Sequence, residues 1–433
     1  MSTASTAEPQ PRRRTLAPVA DAENAATLTR AMTYAVLIGL FVAGAWMYRE
    51  AYYQGLPFPK NTFLFVPGSH FGDLYDFFKP LQAHDPLNYP YAVYPPFSYI
   101  VMEPFVWAGY QGSIVLWVGL AAVAIGGFLA RQLSFLPPID RIAAVFALTF
   151  ATYPFLISLD RGNIELVITV LLVALAWAWQ TDRWVVAALA IGAMTAMKGY
   201  PIIFAAPLLV GRQWRALALC IVSAGLLTVL GSIYYNFDVV HTWNLLHARL
   251  TFYNDTYVIG DAGLAYGCSL FGPLKLLLVD VLGGDAATVR SAIPYYEAAT
   301  VVILAGSVWV LWRRRLALWQ QMTLLVCLLN LLPTVSGGYK LLHLVIPIGL
   351  FLRDGSRDPF RWVYMLLFAL LMIPKAYFFF RLGGSVSDIV VLDPLLMTLL
   401  VVLVVVSAFR TREETAEPAP AAAAATEPGY SPA

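Results

Sequence analysis

Long, nearly unbroken apolar runs alternate along this chain with short polar, basic or proline-containing breaks. A hydrocarbon core of roughly 30 Å takes about 20 residues of helix to cross. Stretches suited to crossing occur at 31–49, 112–130, 141–159, 163–180, 214–234, 296–312, 317–333, 360–379 and 388–409. Shorter ones occur at 184–197, 200–211 and 341–352. The pattern predicts an all-α polytopic membrane protein, a bundle of about 12 transmembrane helices with outer-face loops and interfacial helices.

Composition agrees. Of 433 residues 59% are hydrophobic and 12% charged, with a mean hydropathy of +0.68. A soluble domain runs nearer half apolar and a quarter charged, so lipid must solvate much of this chain. The net charge of +2 carries no sign of a nucleic-acid partner. Cys220, Cys268 and Cys327 lack metal-ligand spacing and form no disulfide framework. The first apolar stretch is long enough to remain as an anchor, so no removable signal peptide is expected.

Basic residues mark the cytoplasmic side. Arg12, Arg13 and Arg14 place the N-terminus inside. Arg131, Arg141, Arg183, Arg212, Arg215, Arg313 to Arg315, the 353–361 loop and Arg410 then fall inside too, provided that 94–110 does not cross. That segment holds Glu103, Pro95, Pro96 and Pro104, which suits an interfacial or re-entrant helix. The expected layout in the inner or plasma membrane has both termini cytoplasmic. A disordered end at 1–30 precedes a transmembrane domain at 31–409 with outer loops 50–111 and 235–295, and a disordered tail follows at 410–433.

An ionisable side chain at the centre of a spanning helix costs about 2.5–3.5 kcal/mol on insertion scales, so such groups are seldom idle. Here they fall at the expected outer ends of helices. Asp160, Arg161, Asn163 and Glu165 mark one turn, Lys198 a second, and Tyr339, Lys340 and His343 a third. The first outer loop adds Asp73, Asp76 and Lys79. Any one of these has a bland explanation, as a solvated or snorkelling charge or a structural histidine. Their convergence at headgroup depth suits a site that joins an anionic lipid headgroup to a polar acceptor. A transporter or flippase of lipid-linked sugars would put its charges near the midplane, between inverted repeats; no repeat is evident. A non-catalytic scaffold would leave the cluster without a reason.

Four motifs resemble glycosyltransferase family 87, membrane enzymes of the GT-C fold typified by polyprenol-phosphate-mannose-dependent mannosyltransferases. "GDLYDFFKPLQAHDPLNYPYAVYPPFSYIVMEP" is similar to the family's first outer loop, with Asp73, Phe77, Phe78, Pro90, Tyr91 and Tyr94 to Pro96 at the matching places. "RGNIELV" is similar to its Arg-Gly-Asn helix start at Arg161, Gly162 and Asn163, and "MKGYP" to its Lys-x-x-Pro segment at Lys198 and Pro201. "YGCSLFGPLK" is similar to its second-loop element at Ser269, Leu270 and Gly272. The likeness covers roughly 70–380. It departs at "SGGYKLLHL", where Tyr339-Lys340 stands in place of His-Tyr and His343 follows three residues on, so either Lys340 or His343 takes that role.

The resemblance implies an inverting transfer of one sugar, mannose by the family's default and arabinofuranose in related enzymes. The donor is a polyprenyl-phosphate sugar, a co-substrate rather than a cofactor, and the acceptor a glycolipid or glycan on the periplasmic face. It also implies Asp73 as general base, with Asp76 as runner-up. Arg161, Asn163, Lys198, Lys340, His343, Tyr94 and Glu165 are candidates for the donor phosphate and substrate. No metal site and no nucleotide-binding glycine loop is evident.

Overall fold

The computed structural model describes residues 19, 21–55, 71–83, 86–89, 93–236, 238–265, 267–314, 316–375 and 386–416. Arg12 to Arg14, Arg315, Pro90 and Tyr91 lie outside the described residues, as do the parts of the expected disordered ends before residue 19 and after residue 416.

The architecture is helical, and the helices in chain order are α1 (Ala22–Gln54), α2 (Gly72–Gln82), α3 (Pro96–Trp107) and α4 (Gly109–Ala121), which continues through a π turn into α5 (Gly127–Gln132). There follow α6 (Pro138–Phe150), α7 (Tyr153–Arg161), α8 (Glu165–Gln180), α9 (Trp184–Lys198), a 3-10 segment Tyr200–Ala205 running into α10 (Ala206–Val210), and α11 (Trp214–Asn236). The second half comprises α12 (Val239–Tyr253), α13 (Phe271–Leu276), α14 (Ala286–Arg313), α15 (Leu318–Leu331), a 3-10 segment Gly338–Leu344, α16 (Val345–Asp354), α17 (Arg361–Met372) and α18 (Ile389–Ala416). Local chemistry sets several of the ends. The Asp21 carboxylate caps α1 by accepting from Asn24 N at 3.3 Å, and proline opens α3 and α6.

Every expected apolar stretch contains helix, yet the structure does not resolve into twelve clear crossings. Among the described residues five helices are long and apolar enough to span alone: Ala22–Trp46, Gly109–Gln132, Trp214–Tyr235, Ala286–Arg313 and Ile389–Arg410. The bent pair α6–α7, kinked by 54° at Ala151–Thr152, makes six. The protein is thus a polytopic membrane protein whose remaining apolar helices are short. The reason is packing. Nearly every residue of α15 and α16 is buried among other helices, so their apolarity records protein on all sides rather than the length of a crossing.

The 94–110 stretch forms α3, whose 12 residues fall short of a crossing. Gly231 of α11 lets α3 approach closely, since a Cβ there would sit 2.6 Å from Phe97 N. Ser98 Oγ donates to Met197 O at 2.7 Å, tying the start of α3 to the end of α9. The segment 267–269 is sewn to the strand-like link after α15. Gly267 pairs with Gly337, Cys268 N donates to Ser336 O at 2.6 Å, and Ser269 Oγ donates to Thr334 O at 3.1 Å. The Ser269–Leu270–Gly272 element therefore clamps the chain entering Gly338–Leu344 and places no side chain of its own in the charged centre described next.

Candidate active site

Helix ends supply the site, and the sign of each charge follows the helix to which it belongs. Asp73 and Glu165 occupy the first turns of α2 and α8, while Arg161 and Lys198 occupy the last turns of α7 and α9. Carboxylates at N-termini and cations at C-termini are each favoured by the helix dipole.

The Arg161–Gly162–Asn163 turn makes the first half of the centre. Gly162 ends α7 at φ +64°, a left-handed conformation suited to glycine, and a Cβ on it would lie 2.5 Å from Leu74 Cβ. That absence of a side chain lets α2 lie against the turn. Phe71 N donates to Asp160 O at 2.6 Å and fixes the start of α2 there. Arg161 Nη2 then meets Asp73 Oδ1 at 2.5 Å, and Asn163 Nδ2 donates to Asp73 Oδ2 at 2.5 Å. Asn163 also faces the other way, its Oδ1 accepting from Glu165 N at 3.1 Å. One amide thereby joins the loop carboxylate to the start of α8.

Glu165 is the second half. Its side chain is wholly buried, a position that a carboxylate holds only with strong partners. Lys198 Nζ lies 2.6 Å from Oε1, and the Tyr200 hydroxyl donates to the same oxygen. His343 Nε2 stands 3.2 Å from Oε2, close enough for an ion pair but off the line of a hydrogen bond. Lys340 is buried with its Nζ 4.1 Å from the Tyr200 ring centroid, a cation–π contact, and within electrostatic reach of Glu165. Lys198 thus pairs directly with this carboxylate, with Lys340 nearby.

Aromatic side chains fill the space between the halves. Tyr94 stacks on Phe77 of α2 with centroids 4.9 Å apart and lies under Lys198, whose Nζ is 4.7 Å from its ring centroid. The phenols of Tyr94, Tyr253 and Tyr339 are within electrostatic reach of both Asp73 and Glu165.

All of the candidates Asp73, Arg161, Asn163, Lys198, Lys340, His343, Tyr94 and Glu165 meet in this arrangement. Asp76 does not share the clamp. It is half-buried on α2, and desolvation, with the Asp73 charge beside it, raises its carboxyl above the ordinary range. Lys79 is exposed. Sequence reasoning passed over Tyr200 and Tyr253; the available signals were the tyrosine two residues after Lys198 and the aromatic "FYNDTY" run at 252–257.

A polytopic helical membrane protein with a charged, tyrosine-walled centre at its helix ends defines the class. The family model of glycosyltransferase family 87 matches residues 92–337, more than half of the 433-residue chain, and the chain belongs to that family. It is accordingly a membrane glycosyltransferase. The matched span carries Tyr94, Arg161, Asn163, Glu165 and Lys198, while Asp73, Lys340 and His343 lie beyond its ends. No curated protein and no solved structure matches the chain.

Proposed function

We propose that this enzyme transfers one sugar, mannose in the first instance, from a polyprenyl-phosphate donor to a glycolipid or glycan acceptor, with inversion and with Asp73 as general base. In this reading twelve crossings and cytoplasmic termini put the centre on the outer face of the cell membrane. The observation that carries it is the placement of Asp73, clamped at 2.5 Å by both Arg161 and Asn163, beside a centre where Lys198 pairs with the buried Glu165 carboxylate and Lys340 packs on Tyr200.

A sugar hydroxyl has too high a pKa to attack unaided, and a positioned carboxylate lowers the barrier by taking its proton as the bond forms. The clamp fixes both oxygens of Asp73, and each keeps a further lone pair for that proton. The acceptor oxygen attacks the anomeric carbon, the bond to phosphate breaks on the opposite side, and its electron pair leaves with the lipid phosphate. Lys198 and Lys340 supply positive charge where that anion develops, with His343 beside them. Glu165 holds Lys198 and Tyr200 in place rather than reacting. Tyr94, Tyr253 and Tyr339 offer hydroxyls and ring faces to the sugars. Asp73 is preferred to Asp76 because the clamp closes on Asp73 alone.

The test is transfer by the purified protein from radiolabelled polyprenyl-phosphate mannose to a glycolipid acceptor, with release of polyprenyl phosphate in equal amount. Transfer that instead requires a sugar nucleotide would end the proposal.

A further inference from the structure

We propose that a groove between α10 and α14 binds an anionic membrane phospholipid, at a site separate from the sugar-transfer centre. The groove is a cavity of about 300 Å³ lined by Leu209, Val210, Arg212, Trp214, Trp309 and Trp312, among others. It lies where two candidate spans end, since Trp214 opens α11 and Arg313 closes α14. Tryptophans at such a boundary place an apolar ring beside lipid and an N–H toward the headgroups.

The charge there has one sign. Arg212 lines the groove and no acidic residue does. Arg215 follows in the first turn of α11, and the Arg313 guanidinium lies 5.7 Å from the Trp312 ring centroid. The Arg314 guanidinium lies 3.7 Å from the Phe409 ring centroid, with Nε buried and without a hydrogen-bond partner among the described residues. None of these four arginines forms an ion pair among the described residues. An apolar slot at the membrane boundary, with Arg212 in its lining, fits an acyl chain below and a phosphodiester above.

The groove is also distinct from the site already described. Tyr200, at one end of the Tyr200–Val210 leg, bonds to Glu165, while Val210, at the other, lines the groove. From the rises of 3-10 and α helix, those ends are about 17 Å apart along the leg.

Native mass spectrometry of the full-length protein, titrated with phosphatidylglycerol or phosphatidylcholine, tests the assignment. The wild-type protein retains phosphatidylglycerol in preference. Arg212 stands at φ +54°, so Arg212→Asn is the suitable neutral variant, because asparagine tolerates that conformation. It lowers phosphatidylglycerol affinity roughly fivefold, the effect of one charge near the membrane surface, while Arg212→Lys retains it. Should Arg212→Asn fail to fold, Arg212→Gly carries the same expectation, because glycine adopts that backbone conformation freely. Equal retention of the two lipids, unchanged affinity in the neutral variants, or displacement of phosphatidylglycerol by equimolar polyprenyl phosphate overturns the proposal.

Discussion

Replacing Asp73 by asparagine separates catalysis from architecture, because the structure sets different sizes for the two effects. The new amide keeps the volume and can still accept from Arg161, but its NH2 group faces the Asn163 Nδ2 donor now 2.5 Å from Asp73 Oδ2. A charge-assisted hydrogen bond contributes about 1.5–3 kcal/mol and a neutral one about half that. The Arg161 and Asp73 side chains keep 27% and 18% of their exposure, and solvent reduces the difference further. The expected loss of stability is therefore about 1 kcal/mol. Removing a general base costs about 10²–10⁴-fold in turnover, or roughly 3–5 kcal/mol of barrier. The assay is initial-rate transfer from labelled polyprenyl-phosphate mannose, with thermal unfolding of the same preparations. Asp73→Asn should lose at least ~10²-fold in kcat. Asn163→Ala, which opens the clamp and spares the carboxylate, should lose less than Asp73→Asn. Activity of Asp73→Asn within tenfold of wild type refutes the assignment.

Four further outcomes follow from the same geometry. Gly162→Ala should destabilise the fold by more than the about 1–2 kcal/mol of a left-handed alanine, because its Cβ also meets Leu74; an unchanged Tm would contradict the close approach of α2. Lys198→Met should destabilise by about 3–5 kcal/mol by leaving Glu165 buried without its main partner, and Glu165→Gln with Lys198→Met should recover most of that in an unfolding assay without restoring donor affinity. Asp76 has a raised folded-state pKa, so its stabilising influence is present below the ordinary carboxylate range and lost as pH rises through the folded value. Asp76→Asn should thus match or exceed wild-type Tm at pH 7, lose that advantage in acid and leave transfer nearly intact; a lower Tm at pH 7 argues against the desolvation. A membrane-impermeant thiol reagent added outside cells should label a cysteine at the exposed Asp255 but not one at Asp182, and the reverse result would place the centre on the cytoplasmic side.

Helix positions were legible in the sequence because lipid and protein interiors both demand apolar residues. For the same reason the crossings were not countable. The α15 run is as apolar as that of α11, yet α15 is enclosed by protein along its length while α11 presents Ile221, Val222 and Leu226 outward. The charged members of the site stood out because ionisable residues are scarce in this chain and cluster at helix ends. Their pairing did not. Nothing in "RGN" says that Asn163 serves Asp73 with one end of its amide and Glu165 N with the other. Tyr200 and Tyr253 were hidden among 23 tyrosines, where one more aromatic carries little information.

The placement of Asp73 is the structural problem that this fold solves. In the proposed mechanism Asp73 must hold its geometry to within about 0.5 Å, and a residue carried on a connecting segment is poorly placed to do so. Here the loop helix is tied to the bundle at three points within one turn of chain. Phe71 N reaches Asp160 O, Leu74 fills the space that Gly162 leaves open, and the Asp73 carboxylate closes on Arg161 and Asn163. All three anchors belong to the four residues 160–163, which also open α8 and so fix Glu165. Asp73 and the Glu165–Lys198 pair are therefore referenced to the same short turn. In the proposed mechanism a shift of that turn carries both together, which preserves the distance between attacking hydroxyl and departing phosphate.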